Sequence, residues 1–257
     1  MTYNDKYTSK LYFLIRNPKV GVKKILPFIK SQLFPYFRFL AESFGIEKYS
    51  KPYLGHKELL EYVNIKDRFF VQCGGNDGYG SDPTYYLEKI LGWKGVIVEP
   101  LSIYKLCQKN RNKSNVYNYA VGSFDQKEKT VSFVDCNLMS FVSGSIENNN
   151  EWIKTGEQAQ QMKSEKITVP MRPVQELIDD YFSTHDKKTI NLFVADVEGY
   201  ELQVIKGLDF KKNKPLFILL EIHTQERLDS INEYLTNLNY HLIKEIGHHD
   251  YLFTLNQ

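Results

Sequence analysis

Cysteine is scarce. Three residues, Cys73, Cys107 and Cys136, odd in number and far apart, make neither a disulfide framework nor a cysteine-based zinc site. Long apolar runs are missing as well: stretches such as Leu216–Leu220 fall far short of the roughly 18–20 residues a membrane-spanning helix needs. Glycine and proline, at 15 and 9 residues, are too few for a collagen-like or low-complexity chain. No charge sign dominates, with 33 basic side chains against 31 acidic ones, so the chain lacks the basic working face of a nucleic-acid-binding domain. The opening residues carry neither the apolar stretch nor the small-residue cleavage site of a secretory signal, and a reducing, cytoplasmic compartment is expected. Apolar content, by contrast, is ample. Of 257 residues, 42% are hydrophobic and 25% charged, enough for one large domain, or one domain plus an extension, and too apolar for a disordered chain.

The near-neutral total hides an asymmetry. Residues 1–40 hold eight bases and a single acid, Asp5, a net +7 that leaves the remainder acidic. Aromatic and aliphatic residues (Tyr12, Phe13, Ile15, Ile25, Phe28, Leu33) mix with these bases at helical spacings, and Pro18, Pro27 and Pro35 cut the pattern into short pieces. Residues 1–55 are read as a basic helical extension that packs as a lid and adds contacts to the acceptor. The alternative is weak contact of residues 1–40 with an anionic membrane surface. Short pieces with apolar residues on several faces suit packing on protein better than lying on lipid.

From residue 56 to 257 the pattern is that of one α/β domain. His56–Val63 reads as a helix. Four short runs, Phe69–Cys73, Gly95–Val98, Asn191–Ala195 and Leu216–Leu220, are apolar on both faces, as strands of a parallel sheet covered by helices are. Helical stretches lie between them: Thr84–Leu91, Val174–Tyr181 and Glu226–Leu238, the last with Leu228, Ile231, Leu235 and Leu238 on one face. That alternation gives a mostly parallel sheet. Tyr240–Ile246 and Tyr251–Leu255, joined by GHHD, read as a terminal antiparallel hairpin. Residues 124–170 form a long polar insertion with strand-like patches at Thr130–Val134 and Lys166–Val169, read as an acceptor loop or surface decoration.

Three of the apolar strands end in an acid: Glu99, Asp196 and Glu221. The fourth runs into Gly74-Gly75-Asn76-Asp77-Gly78. Ligands of open α/β sheets bind in the crevice outside the carboxyl ends of the strands, so polar residues at all four ends point to a ligand site. Glycines there let backbone approach the ligand. The loop is not a nicotinamide fingerprint, because Pro83 stands where the third glycine is needed, and no Walker A lysine pattern is present. Glu99, 21 residues beyond Gly78, suits the hydroxyls of an adenosine ribose, which nicotinamide cofactors and S-adenosylmethionine share. A loop unsuited to pyrophosphate favours the second.

Together FVQCGGNDG (70–78), GWKGVIVEP (92–100), Asn110–Arg111, YAVGS (119–123), ADVEGYE (195–201) and LLEIH (219–223) resemble the FkbM family of S-adenosylmethionine-dependent methyltransferases. The resemblance spans about residues 66–225 and implies a Rossmann-like class I methyltransferase sheet, with S-adenosylmethionine as cofactor. It implies that Gly74, Asn76, Asp77 and Gly78 line the methionine half of the cofactor, that Glu99 holds the ribose, and that Ser81 and Ala120 lie nearby, Ala120 toward the adenine. Asp196 would face the methyl group and its acceptor. Many relatives carry an acid at the position of Gln72, where this chain has a neutral side chain. The family chiefly O-methylates sugars and secondary metabolites.

Methyl transfer is an in-line displacement that needs the acceptor aligned and, for a weakly nucleophilic hydroxyl, a general base. Asp196, Glu221 and His223 are the catalytic candidates, with Glu198 a further one. The ordinary His value near 6.5 would make His223 a base at neutral pH. Glu198 and Glu201 are placed in the first turn of the helix after Asp196, where the helix dipole alone favours a carboxylate. Asp196, Glu221 and His223 also offer donors suited to Mg²⁺ or Mn²⁺, though no metal is assigned. His248 and His249 are read as surface residues of the hairpin turn. The expected activity is O-methylation of a sugar hydroxyl on a nucleotide-sugar, polysaccharide or glycolipid in a surface-glycan (capsule) pathway, with a small carbohydrate as partner and no nucleic acid. A nicotinamide-dependent nucleotide-sugar oxidoreductase and a non-catalytic sugar- or nucleotide-binding module are the alternatives.

Overall fold

A computed structural model describes residues 56–257 apart from 127, 147, 148, 187, 248 and 257. The extension read over residues 1–55, with its lid and membrane-surface roles, lies outside the described residues, and so does His248.

The short apolar runs have no polar face to give to water, and they become interior strands. β1 (Phe69–Cys73) is buried along its whole length. It pairs in parallel with β2 (Lys94–Val98) on one side and β8 (Leu192–Ala195) on the other. β3 (Ser114–Tyr117) extends the sheet beyond β2, and β9 (Phe217–Glu221) extends it beyond β8. The chain then closes with the hairpin β10 (Tyr240–Ile246) and β11 (Asp250–Leu255), whose second strand lies antiparallel against β9. The sheet order is β10-β11-β9-β8-β1-β2-β3, the mostly parallel class I methyltransferase arrangement with its antiparallel C-terminal hairpin.

Side chains alternate across this sheet with period two. Phe69, Val71, Val96, Val98 and Phe193 face one layer, built from α5 (Val174–Thr184), α6 (Glu201–Lys206) and α7 (Gln225–Asn237). Phe70, Ile97, Leu192 and Val194 face the other, with Leu59 and Val63 of α1 (His56–Val63), Leu87 of α2 (Tyr85–Lys89) and Cys107 of α3 (Tyr104–Asn110). The helical period appears in α5, where Val174, Leu177, Ile178 and Tyr181 are buried at the spacing of one helix face.

The polar insertion is a second small sheet. β4 (Ala120–Gly122), β5 (Thr130–Asp135), β6 (Phe141–Val142) and β7 (Glu165–Pro173) join in the order β4-β7-β5-β6. A short 3₁₀ turn, Asn137–Met139, and α4 (Asn149–Gln160) complete it. Helix α4 buries only Gly156, so it leaves almost no apolar period to read in the sequence.

Arg111 anchors the loop after β1 from behind. It is 1% exposed, and its guanidinium donates to Asp82 at 2.8 Å, to Glu88 at 3.1 Å and to the Thr84 hydroxyl at 2.7 Å, over the ring of Phe70. Asp82 in turn accepts the Thr84 and Tyr85 N–H groups at 2.8 and 2.9 Å at the start of α2. Gln72 belongs to this network. Its amide donates to the Gly74 carbonyl and to Asp82 and accepts from Thr84. Removing one partner of a buried ion pair costs about 3–5 kcal/mol. Arg111→Ala, which strands Asp82 and Glu88, is expected to lower the melting temperature by about 10 °C in calorimetry.

Candidate active site

Parallel register puts the carboxyl ends of β1, β2, β8 and β9 side by side, and the chain exchanges hydrogen bonds across them. Gly74 N–H donates to Val98, Asp196 N–H to Cys73 and Glu99 N–H to Tyr117, at 3.0, 3.1 and 3.0 Å. Gly74 has φ +87°, and a β-carbon there would overlap the Asp196 carbonyl, so only glycine lets β1 and β8 end this close. Asn76, also left-handed at φ 41°, turns its N–H onto the Glu99 carboxylate at 2.7 Å. The other Glu99 oxygen accepts from Leu101 N–H at 2.8 Å. Burial pushes Glu99 up to about 7 against the pull of these hydrogen bonds.

Around this carboxylate lies a narrow cleft of about 90 Å³, lined by Gly74, Asn76, Val98, Leu101, Tyr119, Ala120, Phe133 and Asp196. A pinned acceptor beside flat apolar walls suits a ribose carrying a planar base. The volume is below the roughly 300–1,000 Å³ usual for ligand pockets, so a nucleoside must widen the cleft. Leu138, which lines it from the 3₁₀ turn and is 53% exposed, is the wall with room to move.

A cluster of acids stands at the cleft's inner end. Asp196 is exposed toward the cleft, and Glu221, Glu198 and Asp250 crowd it from the protein side. Burial, the Glu221 charge and a side-chain contact with Glu221 raise its carboxyl well above the usual range. Burial alone would raise Glu221 too, but hydrogen bonds from His223 and Asp196 hold it below its ordinary value. His223 Nε2 lies 3.1 Å from Glu198 and 3.4 Å from Glu221. Those two carboxylates lift it to about 10, so it is an imidazolium at neutral pH. The sequence expectation of a neutral base near 6.5 is corrected by this double pairing. Ligand atoms of Glu198, Glu221 and His223 all lie within 4.8 Å of one another, a set that suits a divalent cation and differs from the sequence grouping by holding Glu198 in place of Asp196.

The model of the methyltransferase FkbM domain matches residues 72–242, well over half of the chain. The chain belongs to the FkbM methyltransferase family. Solved structures similar to it include the precorrin-6y C5,15-methyltransferase from Geobacter metallireducens GS-15, 9% identical with TM-score 0.41, covering 79% of this chain and 87% of that one. A putative RNA methyltransferase from Pyrococcus horikoshii is 6% identical with TM-score 0.41, over 79% and 83% of the two chains. An S-adenosylmethionine-dependent methyltransferase from Thiobacillus denitrificans, in complex with S-adenosyl-L-homocysteine, is 8% identical with TM-score 0.32, over 81% and 72%. No curated protein matches.

This FkbM-family enzyme is therefore an S-adenosylmethionine-dependent methyltransferase, and the nicotinamide and non-catalytic alternatives give way. Of the residues named from sequence, Gly74, Asn76, Glu99, Ala120 and Asp196 line the cleft. Asp77, Gly78 and Ser81 do not. The Asp77 side chain accepts the Tyr79 and Gly80 N–H groups at 2.8 and 2.9 Å, Gly78 packs on Arg111 and Cys107, and Ser81 faces solvent. Gln72, buried in the Arg111 network, is likewise away from the cleft wall. Glu198 is not in the first turn of α6; it sits before it at φ 51°, which turns its carboxylate to His223. His249 is half-buried with its ring 5.3 Å from that of His223, not a surface residue. Asp250, lifted to about 7 by burial and the Glu221 charge, joins the cluster unforeseen. No helix among the described residues is long and apolar enough to cross a membrane.

Two pH dependences follow, with opposite signs. Glu99, Glu201 and Asp250 are raised to about 7 by burial, so the stability they contribute is present below about 4.5 and lost as pH rises through 7. The melting temperature of the ligand-free protein should fall between pH 6 and 8. A ribose hydroxyl donates to the ionised Glu99 carboxylate, so S-adenosylhomocysteine affinity should rise over the same interval. Glu99→Gln should weaken that affinity about 30-fold, the loss of one to two charge-assisted hydrogen bonds, and flatten its pH dependence in isothermal titration calorimetry.

Proposed function

We propose that this methyltransferase O-methylates a sugar hydroxyl, on a nucleotide-sugar, polysaccharide or glycolipid of a surface-glycan pathway in the cytoplasm. The observation that carries the reading is a second cavity of about 680 Å³ that shares Glu198 and Tyr200 with the cofactor cleft. Its wall holds the Trp152 indole, Ser145, Thr224 and Ser230. An aromatic face with hydroxyls around it suits the mixed apolar and polar surface of a pyranose.

S-adenosylmethionine, when bound, supplies an electrophilic methyl group on a sulfonium. The chain's task is to place the hydroxyl and accept its proton. Asp196 opens into the cofactor cleft beside the shared wall. In this reading its carboxylate takes the hydroxyl proton. His223, already an imidazolium, keeps Glu198 and Glu221 ionised and serves as a positioning residue. A carboxylate raised above its ordinary value is the stronger base.

Asp196→Asn keeps the volume and hydrogen bonding but cannot take a proton. Turnover should fall at least tenfold, with the melting temperature unchanged or higher because one of the crowded charges is gone. Label from methyl-labelled S-adenosylmethionine should appear as an alkali-stable ether on a sugar in a screen of nucleotide-sugars, polysaccharides and glycolipids. Label found only on amines or carboxylates would count against the reading.

A further inference from the structure

The second cavity has charges that a neutral sugar does not need. Arg227, at the third position of α7, lays its guanidinium against the backbone of Gly199, where any β-carbon would overlap it. Gly199 has φ +88°, so this glycine serves both the turn and the approach of the arginine. One Arg227 nitrogen donates to the Ser145 carbonyl at 2.6 Å. Arg227 has five N–H donors and lines the cavity, and no carboxylate pairs directly with it among the described residues.

The other charged groups on the cavity wall leave this cation to act. Glu198 is engaged by His223 at 3.1 Å. Glu201 is 1% exposed and turns its carboxylate onto the Gly199 N–H at 2.8 Å, reaching Arg227 only through space. Glu226 stands on the exposed rim. The N-terminus of the 13-residue α7 adds its partial positive charge. Trp152, on the wall of the same cavity, fixes its indole N–H on the Met139 carbonyl at 3.3 Å, with its ring 5.4 Å from that of His223. An aromatic ring and a guanidinium on the wall of one cavity suit a ligand ring that bears an anion.

We infer that the cavity between Trp152 and Arg227 binds a charged sugar, its ring on the indole and its phosphate or carboxylate on Arg227. This rests on the sugar reading of the acceptor. Arg227 is a specificity-determining residue in this account, remote from proton transfer.

The test uses the full chain saturated with S-adenosylhomocysteine and follows tryptophan emission. Only two tryptophans are present, and Trp93 is 1% exposed, so quenching reports Trp152. The probes are hexose 1-phosphates, hexuronates, their neutral methyl glycosides and inorganic phosphate. Charged sugars should bind at least tenfold more tightly than neutral ones. Arg227→Gln should remove that preference and Arg227→Lys should keep most of it, with S-adenosylhomocysteine affinity in both variants serving as the check on folding. A phosphate-only or uronate-only preference identifies which anion the site takes. Neutral glycosides that bind as tightly as charged sugars, or a preference that survives Arg227→Gln, would overturn the inference and leave the sugar reading standing. Inorganic phosphate binding as tightly as a hexose phosphate, in an Arg227-dependent way, would keep the anion site and sink the sugar reading. Absence of binding by every probe would overturn the inference.

Discussion

Parallel pairing is the constraint on which the rest of this molecule depends. When β2, β1, β8 and β9 run the same way, every residue that follows them emerges on one edge, and the side chains there cannot avoid one another. Asp196 and Glu221, at the ends of adjacent strands, become neighbours through register. Glu99 lies on the same edge two strands from Asp196, and the chain adds Glu198 and Asp250 beside the first pair. Crowded carboxylates repel. The fold answers with two pinning N–H groups on Glu99 and an imidazolium held between Glu198 and Glu221. The arrangement concentrates unfavourable electrostatics at the edge where the proposed chemistry would take place, as active sites commonly do.

Behind that edge, a different buried charge keeps the glycine loop in shape. Arg111 is enclosed with Asp82, Glu88 and Thr84, and Gln72 links this group to the Gly74 carbonyl at 3.1 Å. Gln72 thus acts on the cleft from the rear. The loop's strained residues, Asn76 and Gly74, can hold their conformations because the network and the Asp196 backbone confine them from both sides.

The main sheet was legible in the sequence because its signals were local. FFVQC and LFILL are apolar on both faces, and α7 shows Leu228, Ile231 and Leu235 at helical spacing, so burial dictates the element. The acids at the strand ends followed from the same runs. What escaped reading depended on contacts between distant segments. His223 looked like an ordinary histidine because nothing in LLEIH announces Glu198, 25 residues earlier, as its partner. Glu198 itself was assigned to a helix because a left-handed φ on a glutamate leaves no local mark, although the glycine after it is a faint one. Helix α4 hid in NNEWIKTGEQAQ, whose only buried residue is Gly156. A tryptophan in so polar a stretch was the one available hint of the second cavity.

The insertion after β4 has a consequence for how the enzyme's two ligands sense each other. Phe133, Leu138 and Val142 wall the cofactor cleft, while Gly144, Ser145 and Trp152 of the same segment wall the neighbouring cavity. A single piece of chain is therefore a partition between the cofactor cleft and the proposed acceptor cavity. Any shift of that partition made by one occupant alters the space offered to the other, and thermodynamic linkage requires the influence to be equal in both directions. A substitution that moves this segment reshapes both spaces at once, so the two sides of the partition do not change independently.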